Sequence, residues 1–197
     1  MKTINLSLLF LFIGLSVFSQ SADRISIHAE AGVKYDVFDK NSDFSGAQLF
    51  VSGIYPLDDN FFAGLGVGVH TFTVGNKNYS FPIYANVLYK IPISAKVIPF
   101  IDAKVGYGIV SKSYDTSVVI DIDPFKEENY KVKDSGGLYF SPSVGVLFPV
   151  KNNAISLSLS YDFQKIKSKW NNLSAGEVTE HTNTHSKTMA LKIGFLF

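Results

Sequence analysis

From Ile25 onward the chain alternates apolar and polar residues, and this period of two restricts the fold more than any other feature of the sequence. Ile25, Ile27, Ala29, Ala31, Val33, Tyr35 and Val37 take one parity, and Ser26, His28, Glu30, Gly32, Lys34 and Asp36 the other. Successive strand side chains point to opposite faces, so the segment has one greasy face and one polar face. It is also long for a strand of a water-soluble protein. The contrast returns in Phe61, Ala63, Leu65, Val67 and Val69 against Phe62, Gly64, Gly66, Gly68 and His70, and in Ile101, Ala103, Val105, Tyr107 and Ile109 against Asp102, Lys104, Gly106 and Gly108. Ile155 to Phe163 and Met189 to Phe197 repeat it. Segments 47–55, 81–91 and 138–148 follow with exceptions, since Phe50, Ile54, Leu88 and Leu147 fall on the polar parity. That makes eight strands.

The connections alternate in length. Pro56 to Asn60, Pro92 to Ile98 and Pro149 to Asn153 are short and carry the Pro, Asp or Asn of tight turns. Lys40 to Gly46, Gly75 to Ser80, Ser111 to Gly136 and Lys165 to Ser186 are more polar, and the last two are long. Short turns at one end and long loops at the other are the habit of membrane barrels, with both chain ends on the periplasmic, short-turn side. Apolar-parity aromatics sort the same way. Tyr55, Phe61, Tyr89, Phe148 and Phe197 lie near the short turns; Tyr35, Phe81, Tyr107, Phe140, Tyr161 and Phe163 lie near the long loops. Aromatic girdles at two interfaces are expected of a membrane barrel. A soluble up-and-down barrel or a sandwich also alternates, but with its apolar face inward, so the aromatic belts would be accidental.

Composition agrees with this reading. With 46% hydrophobic and 18% charged residues in a chain of 197, disorder is excluded and one domain is expected. The 17 Phe and 10 Tyr suit a surface that need not face water. Lys plus Arg number 18 against 17 Asp plus Glu, which gives no reason to expect nucleic acid as a partner. The absence of cysteine removes a disulfide scaffold, a thiol nucleophile, a zinc–thiolate centre and an N-terminal lipidated cysteine. Lys2 followed by the apolar run Ile4 to Phe18 reads as a secretory signal, residues 1–19, cut near Ser19, with the barrel occupying 20–197.

With the final run Leu191, Ile193, Phe195, Phe197 in view, the sequence resembles the small eight-stranded outer-membrane barrels of Gram-negative bacteria, the OmpA-transmembrane-domain and OmpX-like "porin family" proteins. The resemblance implies an all-β, eight-stranded antiparallel up-and-down transmembrane barrel in the cell outer membrane, surrounded by its lipid. It also implies that Phe195 and Phe197 form the C-terminal signal read by the barrel-assembly machinery; Gly194 lies nearer the end than the usual pattern. Such a match fixes architecture more firmly than activity.

Eight strands leave an interior only wide enough for side chains. The inward parity carries both signs of charge, so ion pairs are expected among Glu30, Lys34, Asp102, Lys104 and Lys192. Gly64, Gly66 and Gly68 read as room for bulky neighbours. The expected role is a non-enzymatic barrel with a filled lumen, no cofactor, no metal and no nucleic acid. Its exposed loops, 111–136 and 165–186, serve envelope integrity or adhesion to an extracellular ligand or host surface. A small-solute pore and a soluble lipocalin-like binding barrel are the alternatives. A third is a lipid A-modifying enzyme, which would use Ser26, His28 and Glu30. His181 and His185 invite a metal reading at a spacing that suits a helix. Asp121, Asp123, Glu127 and Glu128 invite calcium, without the regular spacing of a calcium loop. The loop 111–136 has enough apolar residues to continue as a hairpin above the membrane.

Overall fold

The computed structural model describes residues 25–36, 45–72, 78–93, 96–120, 123–172 and 178–197; the expected signal segment lies outside them. Eight strands follow in chain order: β1 (Ser26–Tyr35), β2 (Gly46–Pro56), β3 (Phe61–Phe72), β4 (Asn78–Lys90), β5 (Ile98–Ile120), β6 (Asp123–Val150), β7 (Asn153–Asn172) and β8 (Val178–Leu196). Each pairs antiparallel with the next, and β1 returns to β8 to close the barrel. The seam runs from Tyr35 opposite Met189 to His28 opposite Leu196. Beyond it Ile27 and Phe197 exchange both backbone hydrogen bonds, at 2.6 and 3.0 Å. Closure leaves no unpaired edge around the barrel wall, which a spanning sheet requires because hydrocarbon offers backbone groups no partner.

Parity decides which face of each strand meets which surroundings. Leu65 is 73% exposed, Ile193 59% and Val144 58%, whereas Lys104 and Lys192 are 0% and 1% exposed. Val67 and Leu157 join the exposed apolar set, and His28, Glu30, Asp102 and Asp162 the buried polar one. The outward surface is therefore a continuous apolar band, far larger than a water-borne protein tolerates. The molecule is a transmembrane barrel with its polar side chains at the axis. Tyr55, Phe148 and Phe197 ring the short-turn end of the band, and Tyr35, Phe81 and Tyr107 the other end. The Tyr107 hydroxyl donates to the Gly136 carbonyl oxygen at 2.9 Å.

The structure corrects the expected loop 165–186 and bears out the hairpin that 111–136 allowed. Most of 111–136 and of 165–186 is strand: β5 and β6 pair from Ser111 opposite Ser135 up to Ile120 opposite Asp123, and β7 and β8 from Lys165 opposite His185 up to Asn171 opposite Val178. β6 and β7 continue together, Ser135 to Tyr130 against Lys167 to Asn172. Four strands thus stand beyond the barrel as one sheet. The alternation that marks a strand in lipid comes from having hydrocarbon on one side only; past the membrane the outer face meets water, the apolar period vanishes, and backbone pairing continues without it. The change of regime coincides with irregular pairing between Gly108 and Ser111 and between Ser135 and Tyr139. At Gly136 an added Cβ would collide with the Gly108 carbonyl, so only glycine permits that approach.

Candidate functional site

The four inward-parity apolar residues that broke the alternation are components of two apolar layers stacked along the axis. At the short-turn end Ile54, Phe62, Leu88, Phe100, Leu147, Ala154 and Leu196 pack into one buried cluster, with Ile98 against it. Each sits within a few residues of a short turn or the terminal strand end, so parity and position together bring them to one level. The Lys90 ammonium lies 4.1 Å from the centre of the Phe62 ring at this end.

One step along the axis lies the charged layer. Glu30 Oε2 is 2.8 Å from Lys104 Nζ, and Glu30 Oε1 is 3.5 Å from Lys192 Nζ. Lys104 also bonds Asp102, two residues back on the same face of β5. Asn86 Nδ2 and Ser143 Oγ donate to the two oxygens of Asp102 at 3.4 and 3.3 Å. The expected network therefore gathers Glu30, Asp102, Lys104 and Lys192, two anions and two cations; Lys34 is buried further from the short turns, on the row of Gly46 and Ala190. Buried charges are tolerated when each faces an opposite charge, and here Glu30 faces both ammonium groups while Asp102 faces Lys104. Gly32 is part of the arrangement, because a Cβ there would occupy the position of the Lys192 stem.

His28 completes the layer. Its Nε2 lies 3.1 Å from Ser156 Oγ, and its Nδ1 lies 3.9 Å from Glu30 Oε2. A serine, a histidine and an acid do meet, although the serine is Ser156 from β7 rather than the expected Ser26. His28 and Ser156 are buried at 0% and 1% exposure between the apolar cluster and an aromatic layer above. Chemistry on a lipid needs the serine at the membrane surface; here the hydroxyl and the imidazole are sealed in the interior, joined by their one hydrogen-bond contact.

The aromatic layer consists of Phe50, Tyr84 and Tyr139, with His70 at its side. Phe50 meets Tyr84 edge-on at 5.7 Å between ring centres and lies roughly parallel to Tyr139 at 6.3 Å. His70 meets the edge or face of Phe50 and Tyr139 at 5.2 and 5.3 Å. The Phe50 ring is also 5.7 Å from Lys104 Nζ and 5.5 Å from Lys192 Nζ, so it roofs the charges. Gly66 and Gly68 provide the room read from the sequence: a Cβ at Gly66 would strike the Tyr84 ring, and one at Gly68 the Phe50 ring. Further out, Ser80 and Gln164 share hydrogen bonds of 3.0 and 2.7 Å, and Ser141 donates to Asp162 at 2.5 Å. Sequence reasoning missed the layering, although Ile54, Leu88 and Leu147 each lie two to four residues from a short turn and Phe50 and Tyr84 each lie four residues further in.

The remaining candidates fare differently. Phe195 and Phe197 face outward at the short-turn end, their rings 5.6 Å apart. His181 and His185 lie on β8, where positions four apart are separated by about 13 Å. The helical spacing that suggested one shared ion is therefore lost, and the His185 ring stacks on Phe163 at 5.5 Å instead. Asp121 lies outside the described residues, as do the side chains of Asp123, Glu127 and Glu128.

No family model matches the chain, and no curated protein does. Solved structures match over nearly the whole length. The outer membrane protein OprG from Pseudomonas aeruginosa aligns with a TM-score of 0.53 at 13% identity, covering 89% of this chain and 95% of its own. Neisserial surface protein A gives 0.49 at 13%, covering 87% and 95%, and a major outer membrane protein from Thermus thermophilus gives 0.48 at 14%, covering 88% and 98%. At such identities the likeness concerns the backbone alone, and the match to OprG agrees with the closed ring of antiparallel strands: the fold is that of the small eight-stranded outer-membrane barrels.

Proposed function

We propose that the protein is a non-enzymatic component of the outer membrane, with a barrel that anchors and seals and an extramembrane sheet that acts. The observation that carries the reading is the filled interior. An apolar cluster, a neutralised set of four charges and an aromatic layer follow one another along the axis, all within a ring of eight strands. A hydrated ion has no continuous path through such a stack. The short turns and both chain ends belong to the periplasmic side in this reading, where Phe195 and Phe197 face the barrel-assembly machinery. The long hairpins belong to the cell surface, where they serve envelope integrity or adhesion.

Single-channel recording in planar bilayers tests the sealed lumen: the folded protein is expected to leave the bilayer silent, and reproducible conductance steps would overturn the reading in favour of a small-solute pore. Deleting residues 113–133 tests the division of labour. The shortened protein should keep its heat-modifiable migration in detergent gels and lose any adhesion; loss of the folded band would make the hairpin part of the barrel's own stability.

A further inference from the structure

The four-stranded sheet that rises beyond the barrel keeps two open sides. Pairing of β4 with β5 ends at Ser80 opposite Val110, while β5 runs on to Ile120. Pairing of β1 with β8 ends at Tyr35 opposite Met189, while β8 begins at Val178. Among the described residues, 111–120 of β5 and 178–188 of β8 therefore have a paired neighbour on one side only. The intervening segments are too short to cover them. Five residues join Phe72 to Asn78, which are themselves paired, and a hairpin of that size adds at most two residues to each strand. Between Tyr35 and Gly46 the chain supplies enough for about five more rows, short of the outer half of the β8 edge.

Such edges offer rows of backbone donors and acceptors to another strand. Their directions decide which strand fits. β5 leads away from the barrel and β8 returns to it, so in two copies inserted the same way round, the β5 edge of one runs antiparallel to the β8 edge of the other. The β5 edges of two such copies would meet parallel, the weaker pairing. The stretches beyond the reach of those segments also match in length, residues 115–120 on β5 and 178–183 on β8. Membrane barrel strands tilt by roughly 35–45°, so an extension of ten residues, about 33 Å, is carried some 20 Å sideways. One edge then overhangs the surface beside the barrel, where a neighbour's opposite edge stands.

We propose that copies of this protein associate edge to edge, β5 of one with β8 of the next, into a continuous antiparallel sheet above the membrane. The contact is heterologous: a joined pair retains one unused β5 edge and one unused β8 edge, so association propagates in rows and does not stop at a pair. The inference rests on the proposed membrane placement, and the experiment separates the two.

The chain has no cysteine, so engineered thiols report without background. Single substitutions Ser111→Cys, Ser113→Cys and Ser117→Cys mark β5, and Thr182→Cys, Asn183→Cys and Thr184→Cys mark β8. After mild oxidation of isolated membranes, co-expressed β5 and β8 variants are expected to give disulfide-linked dimers, β5 variants alone none. A chain carrying one cysteine on each edge should give a ladder of higher species. Absence of links in all nine mixed pairings overturns the proposal, as do links confined to β5 with β5. Labelling the same thiols on intact cells with a membrane-impermeant maleimide reads the other question: unlabelled thiols would reverse the assigned sidedness, whatever the membranes show of association.

Discussion

Replacing Lys104 with methionine probes the charged layer most directly, because its ammonium touches both interior carboxylates of that layer, Glu30 at 2.8 Å and Asp102 beside it. The methionine stem fills most of the lysine volume, so the change is chiefly electrostatic. At an effective dielectric of about 20, the Glu30–Lys104 attraction alone is about 6 kcal/mol before desolvation is subtracted. Removing one partner of a buried pair costs about 3–5 kcal/mol, since the other is left uncompensated. The wild-type layer holds two anions and two cations; the variant would hold two anions and only Lys192. With a urea slope of about 2 kcal/mol per molar, a loss of about 4 kcal/mol lowers the unfolding midpoint by about 2 M. Unfolding is read by far-UV circular dichroism and by heat-modifiable migration, because the single tryptophan, Trp170, lies on β7 outside the barrel wall and reports on the wrong region. The companion variant Lys104→Met with Asp102→Asn restores equal numbers of each sign and should recover about 1–3 kcal/mol relative to the single change, the range seen for directly coupled residues. A single variant that costs less than about 1 kcal/mol, or a double variant whose cost is the plain sum of its parts, would refute the claim that this layer stands by mutual neutralisation.

Three further predictions separate faces and layers. Leu65→Arg on the outward face should cost about 2–4 kcal/mol if hydrocarbon meets it near mid-depth, against almost nothing for a barrel in water; urea titration in lipid decides. Leu88→Ala in the apolar cluster should cost about 2–5 kcal/mol by opening a cavity, with bilayers remaining silent because the layers above still block the axis. Gly66→Val should fail to reach the folded gel band, because its side chain would occupy the Tyr84 ring, and combining it with Tyr84→Ala should recover part of that band.

The parts of this structure legible in the sequence were those where one face of a strand meets lipid. β1, β3 and the wall portions of β5, β7 and β8 alternate along most of their length, with Phe62, Phe100 and Leu196 as inward apolar exceptions at the short-turn end, and their inward and outward residues fall where parity puts them. β2, β4 and β6 looked flawed because Phe50, Ile54, Leu88 and Leu147 sit on the inward parity. An interior need not be polar throughout; it needs only to be filled, and apolar groups fill it at two levels where no charge requires company. Beyond the wall the signal weakened: the apolar residues of 111–136 allowed a hairpin, but 165–186 read as a loop because the lipid-facing parity there turns polar at Lys165, Lys167, Asn183 and His185, although Ile166 and Ser186 on the inward parity stay buried. Of the charged cluster, the residue types were readable, but the partition that leaves Lys34 in a different layer depends on strand stagger, which no spacing along the chain encodes. Ser156 of β7 reaches His28 of β1 over the intervening β8, a meeting that only closure creates.

The membership of the charged layer bears on how the wall is completed. Asp102 and Lys104 belong to one strand and find each other while the sheet is still open, but Glu30 is contributed by the first strand and Lys192 by the last. Until those two strands zip together, the membrane is presented with a lone carboxylate and a lone ammonium. Joining the ends of the ribbon and extinguishing its last stray charges are thus a single step, an electrostatic latch that favours the finished cylinder over every partly inserted curl.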